Sequence, residues 1–272
     1  MRIRLRLLDV LVEIDTEEED AARLLEDLWR PLETPEAGEP ARVYSVARDG
    51  DGWIATAGDA VEAVHDTLWG VTDALRYRML ELCEETLQRF VTLHAAAVAR
   101  GRDLVLLAGE SGAGKTTLTL ALLDAGWAYL SDDVAPVETD TGLVHPFPKP
   151  LGLKDPSAWA RVKHAFARGP AIGSPTGSFL VPPSAWDVAT EPLPLRALLF
   201  PTFAPGTALE VEFLAPAKAV ALASRYLRRV DPSTIGMLNR LCASAGSFRL
   251  RYGSSDAAIY AIDEVLSRRD TH

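Results

Sequence analysis

Only two of the 272 residues are cysteine, Cys83 and Cys242. They lie far apart and belong to no C-x-x-C pair, so neither a disulfide framework nor a thiolate metal site is indicated, and a reducing cytoplasm fits. Histidine is nearly as sparse: His65, His145, His164 and His272 show no metal-ligand spacing. No apolar run approaches the roughly 18 to 20 residues needed to span a bilayer, so a soluble protein without a membrane partner is expected. An excess of positive charge is missing too. With 28 Lys and Arg against 38 Asp and Glu, the net charge is −10. Such a surface repels a phosphate backbone, which argues against nucleic acid as partner and leaves small anions in a local pocket. No internal repeat is present. What remains is ordinary globular usage, 48% hydrophobic and 24% charged, which argues against long disorder.

The opening "MRIRLRLLDV" superficially imitates a basic export signal. Arg2, Arg4 and Arg6 alternate with Ile3, Leu5 and Leu7, and an acidic "EEED" follows; this spacing predicts a strand with one wet face. Thr16 and Glu19 have capping-box spacing, so a helix is expected from there to about Arg30. "PLETPEAGEP" is a breaker-rich loop, and "ARVYSVARDGDGWIATAG" predicts a hairpin around a Gly and Asp turn. From Asp59 to about Phe90, Val61, Val64, Leu68, Val71, Leu75, Met79 and Leu82 recur at helical spacing, which predicts a long amphipathic helix with a break near Gly70. A boundary is therefore drawn near Val91, with a small α+β domain over 1–91 and a second domain over 92–272. The first could recognise a substrate or mediate homo-oligomerisation.

Beyond Val91, strands and helices alternate: "LHAAAVAR", "DLVLLAG", an apolar helix through Ala125, then "WAYLSDD". That order predicts an α/β core. Between strand and helix lies "GESGAGKT", Gly109 to Thr116, which is G-x-x-x-x-G-K-T. The pattern is specific here because a buried-strand run precedes it and an apolar helix follows. Gly109, Gly112 and Gly114 let the backbone curl so that amide donors, with those of Glu110, Ser111 and Ala113 among them, point inward at phosphate oxygens. The helix N-terminus adds partial positive charge. Lys115 would bridge the β and γ phosphates and the Thr116 hydroxyl would ligate Mg²⁺, with Thr117 closing the segment. Downstream, Asp132 and Asp133 stand at the end of the next strand, where α/β sheets present catalytic groups. One carboxylate of the pair could support Mg²⁺ and the other could take a hydroxyl proton. His94 is the one polar group within an apolar strand pattern.

Together these residues resemble the catalytic core of the HPr serine kinase C-terminal-domain superfamily, which is related to phosphoenolpyruvate carboxykinases. The matching pieces are His94 in a strand, a G-x-S-G-x-G-K-[ST] loop and a double aspartate at the next strand end. The resemblance implies an α/β P-loop kinase core of the HPr kinase/PEP carboxykinase type, with ATP and Mg²⁺ as cofactors and a serine hydroxyl of a peptide or protein as acceptor. It also implies that Asp132 is the base, that Asp133 assists, and that His94 lies near the acidic pair or the phosphate. No counterpart of the later glycine-rich signature of HPr kinase/phosphorylase is found, which points away from HPr as acceptor. The layout, including "PFPKPLGLK", is more similar to the HPr-kinase-like precursor-peptide kinases of lasso peptide biosynthesis. Lys149, Lys154, Arg249 and Arg251 are candidates to grip phosphate or a peptide carboxylate, and the loop over 168–184 is a surface excursion or lid. A small-molecule kinase and a regulatory nucleotide-binding protein or ATPase are the competing functions.

Overall fold

The computed structural model describes residues 1–153 and 179–267. Lys154, His164, His272 and the loop over 168–178 lie outside these. The fold is mixed α/β, and the described residues pack as two compact units: those within Met1–Gln88 and Pro148–Trp186, and those within Arg89–Phe147 and Asp187–His272. A single boundary at Val91 was expected from the sequence; in the structure the chain returns to its first unit at Pro148.

The first unit is built on a five-stranded sheet, β1 (Arg2–Leu7), β2 (Val10–Asp15), β3 (Arg42–Asp49), β4 (Gly52–Ala57) and β5 (Ala60–His65), in that spatial order. β1 carries the alternation its sequence requires. Ile3, Leu5 and Leu7 are buried, while Arg2 and Arg4 pair with Asp15 and Glu13 across the strand. Helix α1 (Glu19–Trp29) connects β2 to its parallel neighbour β3 and buries Ala21, Leu24, Leu25, Leu28 and Trp29, one face of a 3.6-residue period. Its start differs from the expected capping box. Glu18 is the N-cap without a side-chain cap bond, and the Thr16 hydroxyl instead accepts from the Glu18 amide at 3.1 Å, a turn closed just before the helix.

The long helix expected from Asp59 is corrected by the structure. Gly58 adopts a left-handed φ of +58°, and the two-residue turn Gly58–Asp59 returns the chain as β5 against β4. Val61 and Val64 are exposed on this edge strand. Helix α2 begins only at Leu68 and runs to Thr86, capped by the Thr67 hydroxyl, which accepts from the Gly70 amide at 3.1 Å. Val71, Leu75 and Met79 are buried as expected, joined by Leu80 and Cys83 rather than Leu82. Gly70 does not break the helix: the His65 ring lies where its Cβ would be, 2.1 Å away. Two further short strands, Leu151–Leu153 and Phe179–Val181, pair with each other in this unit.

Among the described residues the second unit holds a nine-stranded sheet. It contains β6 (Phe90–Leu93), β7 (Ala95–Arg100), β8 (Asp103–Ala108), β9 (Ala128–Ser131), β10 (Ala135–Glu138) and the two-residue β11 (Leu143–Val144). With the short pair of the first unit counted as β12 and β13, the sheet is completed by β14 (Leu193–Phe203), β15 (Glu210–Phe213) and β16 (Gly246–Tyr252). Its centre, β8–β14–β16, is parallel. β7 is antiparallel to both β8 and β9.

Successive residues of these strands are buried on opposite faces. Ala95, Ala97, Ala99, Leu104, Leu106 and Leu198 share a core with Ala219 and Ala223 of α4 (Pro216–Ala223) and with Met237, Leu238, Leu241 and Cys242 of α5 (Pro232–Ser244). On the other face α3 (Lys115–Asp124) packs against β7 and against α6 (Ser255–Ser267). A sheet buried on both faces accounts for the near-continuous apolar runs "LVLLA" and "RALLF".

Candidate functional site

β8 delivers the chain, fully buried, to Gly109, and α3 takes over at Lys115. Between them Gly112 and Gly114 have φ of +85° and +92°, the left-handed values expected of a curled phosphate loop. The loop is fastened from behind by the ends of two strands. The Phe203 amide donates to the Ala113 carbonyl at 3.1 Å, and the Tyr252 hydroxyl donates to the Gly114 carbonyl at 3.3 Å. Phe203 and Tyr252 are register partners on the parallel strands β14 and β16, with ring centroids 5.6 Å apart. Glu110, Ser111 and Thr117 are exposed, and Thr116 is half-buried at the first turn of α3.

Lys115 is 5% exposed. Its Nζ donates to the Gly109 carbonyl at 2.7 Å and to the Glu110 carbonyl at 3.2 Å, and lies 3.4 Å from His94 Nε2. The sequence-predicted single strand around His94 is in fact two. β6 ends at Leu93 and pairs with β10, β7 begins at Ala95 and pairs with β8 and β9, and His94 occupies the joint. Its amide donates to the Tyr226 carbonyl at 2.7 Å. The ring turns toward the double aspartate, with Nδ1 3.2 Å from the Asp133 carbonyl and 4.0 Å from its Oδ1.

Burial, and next the Lys115 charge, hold the His94 pKa below the ordinary histidine value, against a smaller opposing pull from Asp133. The ring is therefore neutral at pH 7. Nδ1–H donates to the Asp133 carbonyl, which leaves the Nε2 lone pair to accept from the Lys115 ammonium.

β9 ends at Ser131, which lies opposite Ala97 of β7. The chain then turns sharply: Asp133 has φ +63°, one of two non-glycine residues in that region among those described. The turn separates the two carboxylates. Asp132 is 0% exposed, and the Asp133 side chain is 32% exposed beside His94. Asp132 and Asp133 thus follow an ended strand and differ in their access to water.

Lys149 is buried, 1% exposed. Arg249 and Arg251 of β16 are engaged elsewhere, paired with Glu212 and Glu210 of β15 at 2.6 and 3.3 Å in a cross-strand ladder.

The structure adds residues that the sequence did not single out. Tyr226 contacts Glu110 of the loop, and its phenol pKa is raised by burial and then by that carboxylate. The chain Tyr226–Arg228 runs beside Thr92–His94: Leu227 bridges Leu93, and the Arg228 amide donates to the Thr92 carbonyl at 3.1 Å. "SRYLRR" carries no local sign of this placement.

No family model matches the chain, and no curated protein matches it. Among solved structures, the HPr(Ser) kinase/phosphatase from Coxiella burnetii is similar at 17% identity and a TM-score of 0.30, over 66% of this chain and 95% of that one. A likeness this loose adds no weight to the site, which stands on its own residues.

Proposed function

We propose that the chain is a nucleotide-dependent phosphotransferase that moves the γ-phosphoryl group of ATP, with Mg²⁺, onto a serine hydroxyl of a peptide or protein. One observation carries the reading: Lys115 of the phosphate loop and the Asp133 turn are joined through the His94 ring, at 3.4 and 3.2 Å. A loop that only bound nucleotide would need no such link to a pair of strand-end carboxylates.

Phosphoryl transfer asks the protein mainly for positioning and charge. The loop amides and the α3 N-terminus hold the phosphates. Lys115, freed from the Gly109 and Glu110 carbonyls when phosphate oxygens arrive, follows the γ-phosphate charge. The Thr116 hydroxyl and the half-open Asp133 carboxylate have the hard-oxygen chemistry that would hold Mg²⁺. Bound there, it neutralises phosphate charge. Asp132, shielded from water, accepts the serine proton as transfer proceeds. His94 keeps Lys115 and the aspartate turn in register.

The motif resemblance supports a serine acceptor, and a precursor peptide of the lasso type is the acceptor class it favours. The test is to incubate the protein with Mg²⁺ and γ-labelled ATP in the presence of serine-containing peptides, small alcohols or neither. Label on peptide is expected, and it should disappear in Asp132→Asn. Label appearing only in inorganic phosphate would overturn the transfer reading, and label on a small alcohol would replace the acceptor class.

A further inference from the structure

The turn carrying Arg228 is fixed beside the joint of β6 and β7 and touches the phosphate loop through Tyr226. Upstream, the Tyr226 carbonyl accepts the His94 amide at 2.7 Å, and its phenol meets Glu110. At Arg228 itself the backbone amide is held by the Thr92 carbonyl at 3.1 Å. Just downstream, Asp231 caps α5 reciprocally: its Oδ1 accepts the Thr234 amide at 3.0 Å and its own amide donates to the Thr234 hydroxyl at 2.9 Å. The backbone bond to Thr92 sets Arg228, an exposed residue, beside the strand segment that ends at His94. The Arg228 charge also bears on the His94 imidazole, a lesser influence than burial or Lys115 in holding that group's pKa down.

The site needs such a cation. Glu110, Asp132 and Asp133 place carboxylates around it, and a triphosphate adds further negative charge. Lys115 alone is a single point charge at the base of the loop. A guanidinium stays charged at any working pH and presents a planar fork of donors that fits phosphoryl oxygens.

Resting on the phosphotransfer reading above, we propose that Arg228 is a catalytic residue whose guanidinium contacts the γ-phosphoryl group as it passes to the acceptor. In that step the bond from the β–γ bridging oxygen to phosphorus breaks and the bond from the acceptor oxygen forms. The hydroxyl proton goes to Asp132, and ADP leaves with the electron pair on its terminal oxygen. Arg228 bears on the charge spread over the equatorial oxygens, which is where a positioned donor contributes most.

The test compares wild type, Arg228→Ala and Arg228→Lys. Both variants keep the backbone amide that bonds Thr92, so the turn is retained, and a thermal melt checks this. Binding of ADP and of a non-hydrolysable ATP analogue is measured by calorimetry with Mg²⁺, and label transfer is followed under single-turnover conditions. Arg228→Ala is expected to slow transfer about 10²- to 10³-fold and to weaken the analogue while leaving ADP affinity unchanged. Arg228→Lys, which keeps charge but not the fork, should fall between. Undiminished transfer in Arg228→Ala would overturn the assignment, as would equal loss of ADP and analogue, which marks a structural role. Wild-type protein that binds nucleotide but transfers no label would instead remove the phosphotransfer reading, and this assignment with it.

Discussion

Replacing Gly114 with alanine probes how the phosphate loop is held. At φ +92° an L-residue is strained, at about 1–2 kcal/mol. An alanine Cβ would also stand 2.8 Å from the Tyr252 hydroxyl and 2.9 Å from Phe203 Cβ. The hydroxyl is the far end of a ring packed on Phe203, and Phe203 Cβ is fixed by a strand whose amide holds Ala113, so neither gives way freely. Overpacking of this kind costs about 1–3 kcal/mol, for a sum of about 2–5 kcal/mol. Gly112 is the internal control, because its φ is +85° but an alanine methyl there would meet nothing within 4 Å; Gly112→Ala should lose only the strain, about 1–2 kcal/mol. Urea denaturation followed by circular dichroism measures both. Tyr252→Phe adds a third leg. In the wild-type background it removes the bond to the Gly114 carbonyl and costs about 1 kcal/mol; beside alanine at 114 it removes the closest clash and should cost less or restore stability. Gly114→Ala unfolding at the same midpoint as Gly112→Ala, or strict additivity with Tyr252→Phe, would refute the clamped-loop geometry.

Lys115→Met removes the charged donor at the loop, and a charge-assisted bond contributes about 1.5–3 kcal/mol, so ATP affinity measured by calorimetry should fall about 10- to 100-fold. His94 has a folded pKa below its unfolded value of about 6.5, so the unfolded state binds the proton first as pH falls. The His94 contribution to stability is therefore constant above that value and declines on acidification until the folded pKa is reached; the difference in urea midpoint between wild type and His94→Asn across pH 5 to 8 should show this decline. Cys83 is 3% exposed with its thiol pushed up to about 12 by burial, so iodoacetamide should modify it only after denaturation, as read by mass spectrometry. Asp133→Asn keeps the backbone carbonyl that accepts from His94, so the fold should persist while the Mg²⁺ dependence of ATP binding weakens.

The strand, glycine turn and helix around 103–124 were legible because their determinants are local: a buried strand, glycines at positive-φ positions, and a helix that starts at Lys115. The double aspartate was legible for a similar reason, standing at the end of a short strand. The segment after Gly58 shows where local pattern fails. Val61 and Val64 lie three apart, a spacing that a helix shares with an exposed edge strand, and the deciding signal was Gly58 in the turn before them. Thr16 and Glu19 likewise satisfied a capping spacing, but the Thr16 hydroxyl closed a tighter bond to Glu18. His94 looked like a mid-strand residue because both flanking strands are apolar; only their different partners, β10 on one side and β8 with β9 on the other, create the joint that turns its ring toward Asp133.

What the amino-acid order determined by itself was the set of groups on offer: a glycine-rich turn between strand and helix, an ammonium, a hydroxyl and two carboxylates, each placed by neighbours within a few residues along the chain. Which of these meet was decided by tertiary structure. Tyr252 lies 138 residues from Gly114, and Tyr226 reaches Glu110 of the loop only because its turn runs beside Thr92–His94. Such contacts depend on the register of strands distant in sequence, and register is fixed by which faces are buried in the assembled sheet.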